Sequence, residues 1–468
     1  MMDLKDKRVL VIGLGRSGLA SVRYLASRGA LVVAEDARSA SDMADVFTAL
    51  DGLPVELHFG KNDSGRAAVS DMIVMSPGVS QDLPGIRKAM ARGVPVVGEM
   101  ELAVCEIDRP IIAVTGTNGK TTTTSLIGHL LKGAGISVCV AGNIGTPLVE
   151  VLDEANGADF VVLEVSSFQA DTTPSLAARI GVWLNATPDH IDRHGSFENY
   201  VASKAKIFSQ MSQDGLGIYN AADEGVSQAV LSSRCKLVPF DATGSFLSSS
   251  SSGMSSRGWF AEDSLWIQTA GDAPCSIPIE RAKLAGFHNR ENMLAAALAA
   301  QLAGASCEAL EEGLASFEGL PHRMQLVGEI EGVRYYDDSK GTNVGATARA
   351  IEGFQEPVVL IAGGLSKGAD FGSLVQIVGE KVKETVLMGQ AAEELERVLG
   401  EQTSAVRASS MEEAVRLAKG AAAPGDVVLL SPACASFDMF KDYADRGRAF
   451  VKAVGDLGSK KKRFGKKE

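Results

Sequence analysis

Val114-Thr115-Gly116-Thr117-Asn118-Gly119-Lys120-Thr121 follows an apolar run, Ile111-Ile-Ala-Val114, and opens a helical stretch that begins with a row of threonines. A buried strand that passes to a helix through a glycine turn is the local plan of a phosphate loop. Glycines let successive backbone N–H groups turn toward a polyphosphate, and the helix N-terminus adds a favourable dipole. On this plan Gly116, Thr117, Asn118, Gly119, Lys120, Thr121 and Thr122 cradle a nucleotide triphosphate. Lys120 would reach its β- and γ-phosphates, and the Thr121 hydroxyl would meet Mg2+. The general pattern carries one more glycine upstream; Val114 stands at that position, so the match is incomplete.

Outward from this loop, the chain reads as three α/β blocks, 1–108, 109–320 and 321–468. In the first, Arg8-Val-Leu-Val-Ile-Gly13 predicts a strand, Gly13-Leu-Gly-Arg-Ser-Gly18 a turn, and the sequence to about Arg28 a helix. Leu31–Glu35, Met72–Met75 and Val94–Val97 predict further parallel strands of a doubly wound sheet. Asp36 lies about where a ribose-binding acid would be. A dinucleotide oxidoreductase is one reading of that turn, but it leaves the phosphate loop without a use. The other reading gives the first block a different nucleotide, with Arg16, Ser17 and Arg38 as extra phosphate or sugar contacts, and the rest of the chain favours it.

Downstream of the loop, Phe160–Glu164 predicts a strand delivering Glu164 at its end. Asp189-His190-Ile-Asp192-Arg-His194 follows another strand, Ile180–Leu184. Carboxylate oxygen suits Mg2+, whereas a lone histidine is more often structural. His190 is thus a metal candidate, with His194 behind it. Asn289–Leu302 is rich in Ala and Leu and predicts a helix. The third block alternates strand candidates, Val358–Ala362 and Val427–Ser431, with helical patterns, so a mostly parallel sheet is expected.

Bulk properties narrow the function. A hydrophobic content of 45% with 22% charged residues is that of an ordinary globular protein. The net charge of −12 argues against nonspecific nucleic-acid binding, so anionic substrates must be held by local Arg, Lys and helix N-termini. No apolar run reaches membrane-span length, and the amino terminus lacks a secretory signal, which suggests a cytoplasmic enzyme. The six cysteines are scattered without a CxxC pair and predict reduced, mostly buried thiols. The serine-rich 246–257 segment predicts an exposed loop, and the basic tail from Lys460 a solvated terminus.

Together the motifs resemble the Mur ligases of peptidoglycan synthesis over nearly the whole chain. The resemblance is carried by Gly116-Thr-Asn-Gly-Lys-Thr121, Leu163-Glu-Val-Ser-Ser-Phe-Gln169, Asp189-His190, Leu320-Pro-His-Arg323, Asp338-Ser-Lys-Gly-Thr-Asn343 and Leu430-Ser-Pro-Ala-Cys-Ala-Ser-Phe-Asp438. The first of these also marks folylpolyglutamate synthase. The Ser-Ser-Phe-Gln and Ser-Pro-Ala-Cys-Ala-Ser-Phe-Asp stretches point to members that add D-glutamate to UDP-N-acetylmuramoyl-L-alanine. The resemblance implies a Rossmann-like N-terminal domain, a central P-loop ATPase-like domain and a C-terminal Rossmann-like α/β domain. It further implies ATP-dependent ligation through an acyl phosphate, with a pair of Mg2+ ions, by a monomer that closes its domains around the substrates.

Residue roles follow from the same resemblance. Gly15, Arg16, Ser17, Asp36, Arg38, Ser76 and Asn143 would hold the UDP substrate. Asn289 and Asn292 would lie near the adenine, with Arg323 and Asp338 completing the ATP set. Thr121, Glu164, His190 and Lys204 would serve the metals, and Lys120, His190 and Lys204 the chemistry. D-Glutamate would be held by Lys340, Thr342, Lys367, Ser436 and Phe437. Lys204, in Tyr200-Val-Ala-Ser-Lys204, matches a lysine that the family carries as a carbamate, an anionic ligand where a bare ammonium would be repelled. On pattern alone Lys204 reads as a surface lysine of an amphipathic helix. A scaffold that kept the fold and lost catalysis is disfavoured, because Lys120, Thr121, Glu164, His190, Lys204 and Arg323 are all present.

Overall fold

The computed structural model describes residues 2–60, 64–244, 256–284, 286–366 and 368–464. Lys367, the serine-rich stretch through residue 255 and the side chains of the basic tail lie outside the described residues. Among the described residues, no helix is long and apolar enough to cross a membrane.

Arg8–Ile12 begins the first sheet because its last four side chains are apolar and fully sequestered. This sheet has five parallel strands in the order 3-2-1-4-5, counted along the chain. Its last strand is Val96–Gly98, not Val94–Val97, since Pro95 has no N–H to give a ladder. The second sheet has nine strands in the order 9-8-7-6-5-4-1-3-2. Its final three, Arg257–Ala261, Ser264–Gln268 and Cys275–Pro278, form an antiparallel ribbon; the other neighbours are parallel. The third sheet runs 1-2-6-3-4-5. It opens with the antiparallel hairpin Gln325–Ile330 and Val333–Asp337 and is otherwise parallel, as expected.

The chain divides into two compact units, Met1–Arg281 with Asn292–Ala315, and Ala282–Glu291 with Ser316–Glu468. The first unit holds the first two sheets over one continuous apolar cluster. Val9, Val11 and Leu25 from the first block join Leu102, Ala113, Leu148 and Leu163 in it. Polar clasps run along this seam: Glu101 accepts from the Ser175 hydroxyl at 2.6 Å, and Gly98 N–H donates to the Thr172 carbonyl at 2.8 Å.

Glu99 sits in the same seam, 3% exposed, with Oε1 accepting the Val149 N–H at 2.8 Å. Burial pushes its carboxyl from an ordinary 4.5 up to about 7, and the Glu150 charge adds to the rise. The stability contributed by protonated Glu99 is therefore complete below about 4.5 and lost as pH rises through about 7. Glu99→Gln keeps an acceptor for Val149 and removes the charge. It is expected to raise the melting temperature by several degrees at about pH 8, with the gap closing toward pH 5. A gap that ignores pH would sink this account.

The expectation of reduced thiols needs one correction. Cys275, on the edge strand of the second sheet, and Cys307, at the start of the helix Cys307–Ser316, form a disulfide with Cα atoms 5.9 Å apart. Linear spacing gave no hint, because the fold alone brings that edge strand to the helix. Cys139, Cys235 and Cys434 are free and buried, and Cys105 is free and half-buried.

Candidate active site

Three adjacent parallel strands of the second sheet aim their carboxyl ends at one place. Val114 is in register with Glu164 on one side, and Thr115 with Trp183 on the other. Residues 116–119 therefore turn between Glu164 and the segment that follows Trp183, where open α/β sheets bind their ligands. The helix Lys120–Gly133 starts from Gly119, which has φ +84° and gives no side-chain cap. A Cβ at Gly119 would come 2.2 Å from Asn292 Oδ1, so only glycine fits the turn. The first N–H groups of a helix have no partner within it, and a helix start of this form is an anion site.

Two lysines converge on the loop. Lys120 Nζ donates to the carbonyls of Gly116 at 2.9 Å and Thr117 at 2.7 Å. Lys204 Nζ donates to the same Gly116 carbonyl at 2.8 Å and lies 4.5 Å from the centre of the Tyr200 ring. Far from being a surface lysine, Lys204 is 1% exposed. Burial, with the neighbouring Lys120 charge, holds its ammonium well below the usual lysine range, against the pull of Asp189, Glu164 and Asp171.

Glu164 is also sequestered. Its Oε1 accepts from Asn143 Nδ2 at 2.7 Å, while Oε2 is a buried oxygen with no hydrogen bond. Asn118 Nδ2 is likewise buried without an acceptor. The orphaned donor on the loop suits a phosphate, and the orphaned carboxylate oxygen at the neighbouring strand end suits a cation. Among the described residues, no group of three or more His, Cys, Asp or Glu side chains could hold a metal.

His190 caps the short helix Ile191–His194 from a left-handed φ of +53°. Its ring packs edge-on against Phe168, with centroids 5.1 Å apart. His194 stacks on the Phe168 ring as well, with centroids 5.2 Å apart, and Ser167 Oγ is 3.0 Å from its Nε2. Arg193, which pattern reading passed over, donates to the carbonyls of Pro77, Gly78 and Val79. It thereby ties the Ser76-Pro-Gly78 loop of the first sheet to the His190 segment. A cavity lined by Ser76, Gln81, Phe168, Asp171, Arg193 and His194 opens there. The Ser-Ser-Phe-Gln stretch has a structural job as well: Ser166 and Gln169 form a capping box on the helix Ser167–Asp171.

In the first sheet, Gly15 caps the helix Arg16–Ser27 without a side chain, and Arg16 is exposed at its start. Ser76 Oγ donates to the Gly13 carbonyl at 2.8 Å. A Cβ on Gly18 would lie 1.8 Å from that oxygen, so the turn demands glycine for close packing. Asp36 accepts the Leu14 N–H at 2.8 Å and a two-pronged grip from Arg38. These bonds hold its carboxyl far below the usual range. Its oxygens are spent on the turn and on Arg38, which removes the main support for a ribose-reading acid of a dinucleotide enzyme.

The second unit gathers the remaining candidates. Asp338 is buried and accepts from Ser431 Oγ at 2.8 Å; burial pushes it up to about 7, with the Arg323 charge opposing the rise. Lys340 Nζ sits 4.0 Å from the centre of the Tyr443 ring, and Thr342 N–H donates to the Lys340 carbonyl at 2.7 Å. Ser436 is buried, whereas Phe437 is 64% exposed. Arg446 is buried and donates to Ser339 and to the Cys434 carbonyl, stitching the loop of Asp338 and Lys340 to the loop of Ser436. Asn292 falls in the first unit, where its Oδ1 accepts from Thr123 Oγ1 at 3.2 Å, and Asn289 in the second.

Comparison with known proteins agrees with this geometry. Residues 7–98 match the family model of the Mur ligase MurD-like N-terminal domain, 114–300 the Mur ligase middle domain and 322–434 the Mur ligase glutamate ligase domain. The chain is 42% identical, over 97% of its length and 100% of the relative's, to the UDP-N-acetylmuramoylalanine–D-glutamate ligase of Trichlorobacter lovleyi. It is 43% identical, over 97% and 98%, to the enzyme of that name from Syntrophus aciditrophicus. Among solved structures, a MurF ligase from Thermotoga maritima in complex with ADP aligns with a TM-score of 0.59 at 18% identity, covering 97% of this chain and 96% of that one. Escherichia coli FolC in complex with DHPP and ADP gives 0.57 at 18%, covering 76% and 90%. At such identities these two speak for the fold alone.

Proposed function

Since this chain belongs to the Mur ligase family, we propose that it joins D-glutamate to UDP-N-acetylmuramoyl-L-alanine at the expense of ATP. The observation that carries the reading is the convergence of Lys120, Lys204, Glu164 and the uncapped helix start on one loop. The relatives at 42% and 43% identity supply the substrate pair. We place the enzyme in the cytoplasm as a monomer, with three functional divisions at 1–108, 109–320 and 321–468.

A carboxylate is a poor electrophile, so the L-alanyl carboxylate first takes the γ-phosphoryl group and becomes an acyl phosphate. The deprotonated amine of D-glutamate then attacks, and the tetrahedral intermediate expels inorganic phosphate. Mg2+, when bound, would neutralise the phosphate oxygens and would be held by the Thr121 hydroxyl, Glu164, His190 and a carbamate on Lys204. Lys120 stabilises the equatorial oxygens of the transferred group. The first block holds the uridine diphosphate through Gly15, Arg16, Ser17, Arg38, Ser76 and Asn143, with Asp36 acting by fixing Arg38 and the turn. Asn289, Asn292, Arg323 and Asp338 complete the ATP set. Lys340, Thr342, Lys367, Ser436 and Phe437 receive D-glutamate. Alignment of the reactants supplies roughly 7–11 kcal/mol, more than any single side chain.

The test is phosphate release from ATP by purified protein with Mg2+ and UDP-N-acetylmuramoyl-L-alanine, with D-glutamate added or withheld. Release that needs both is expected. Release that needs L-glutamate and a folate instead would move the chain to the folylpolyglutamate branch.

A further inference from the structure

We propose that Asn185 is a positioning residue that fixes the phosphate loop and so selects which of its N–H groups meet ATP. The inference rests on the ATP-dependent reading above. Asn185 stands just past the strand Ile180–Trp183 and is 3% exposed. Its Oδ1 accepts two successive loop N–H groups, Thr117 at 3.0 Å and Asn118 at 2.8 Å. Its Nδ2 returns a bond to the Asn118 carbonyl at 3.1 Å. One side-chain amide thus fills both its acceptor and donor roles on a single turn of the loop.

The general phosphate loop is long enough to wrap its N–H groups around the phosphates. With Val114 where that loop has its first glycine, the turn here is short. Asn185 draws Thr117 and Asn118 N–H to itself, which leaves the first turn of the Lys120–Gly133 helix as the phosphate-facing edge. The same bonds turn the buried, partnerless Asn118 amide and the Gly119 bend into fixed features before nucleotide arrives. Asn185 is itself braced from behind: Trp183 Nε1 donates to its carbonyl at 3.3 Å, and the next N–H, of Ala186, donates to Asp223 at 2.9 Å. The bonds of the Thr117 N–H and hydroxyl to the 185–187 backbone do not use the Asn185 side chain. They keep the segment in place when the amide is removed.

Asn185→Ala is expected to raise the KM for ATP by about tenfold or more, the scale of losing paired hydrogen bonds. The KM values for UDP-N-acetylmuramoyl-L-alanine and D-glutamate should stay within about twofold, and the melting temperature of the substrate-free protein within a few degrees. An unchanged KM for ATP would overturn the proposal. So would a parallel rise in all three KM values with a falling melting temperature, since that marks general loosening. If Asn185→Ala does not fold, Asn185→Leu keeps the side-chain volume and removes both the Oδ1 acceptor and the Nδ2 donor. It must show the same ATP-selective rise, or the proposal fails. Wild-type protein without ATP-dependent phosphate release would overturn the ligase reading itself, a result separable from either variant's behaviour.

Discussion

Lys120→Ala is expected to abolish measurable turnover, lowering kcat by at least about a thousandfold, while the protein still folds. The magnitude follows from what the side chain replaces. Removing one preorganised donor from a site of developing negative charge costs about 10²–10³ in rate, and Lys120 carries a full charge besides. Its Nζ is anchored on the Gly116 and Thr117 carbonyls, so the ammonium is held at the loop before the phosphoryl group arrives. Those bonds go to loop carbonyls and not to apolar side chains of the core, and a thermal melt of the variant should stay near that of the parent. The measurement is phosphate release at saturating substrates; activity equal to the parent's would remove the phosphate-loop assignment.

Lys204→Ala should also be inactive, and a short carboxylic acid such as acetate should restore part of the activity. A buried ammonium without a carboxylate hydrogen bond is costly, and Lys204 faces a carbonyl, an aromatic ring and a second lysine. Burial, with the Lys120 charge beside it, lowers its proton affinity and so favours the neutral amine more than in a solvated lysine. A neutral amine is the form that adds carbon dioxide to give a carbamate. An added carboxylate in the space left by Lys204→Ala presents the same pair of anionic oxygens. Indifference to such acids across a wide concentration range would exclude the carbamate role.

The sequence made some of this site plain and hid the rest for physical reasons. A strand, glycine turn and helix write their geometry into consecutive residues, so the turn between Thr115 and Lys120 could be read without a structure. Glu164 was legible too, because a strand that ends on an acid in an apolar run is a local signal. Asn185 was not: its contacts span 67 and 68 residues, and nothing in Leu184-Asn-Ala-Thr187 distinguishes it from a loop asparagine. The burial of Lys204 depends on packing against a loop 88 residues away. Arg446 and Tyr443 reach Ser339, Cys434 and Lys340 from the helix Tyr443–Phe464, of which the sequence reading took in only the basic tail from Lys460. Asp36 was placed correctly along the chain, but its oxygens turned out to be committed to Leu14 and Arg38. The Cys275–Cys307 bond illustrates the same limit, since pairing is a property of the folded edge and not of the spacing.

The apolar seam that unites the first two sheets bears on how such enzymes can exchange parts. Leu102, Ala103 and Leu148 complete one core, and Glu99 and Glu101 reach across it to Val149 and Ser175. A chimera joined near Pro110, taking its amino-terminal quarter from one relative and its remainder from another, would set two unmatched halves of a core face to face. Recombination within this lineage is therefore constrained to inherit both sides of that seam together, whatever the ligands each side binds. The boundary convenient for describing function is the wrong place to cut.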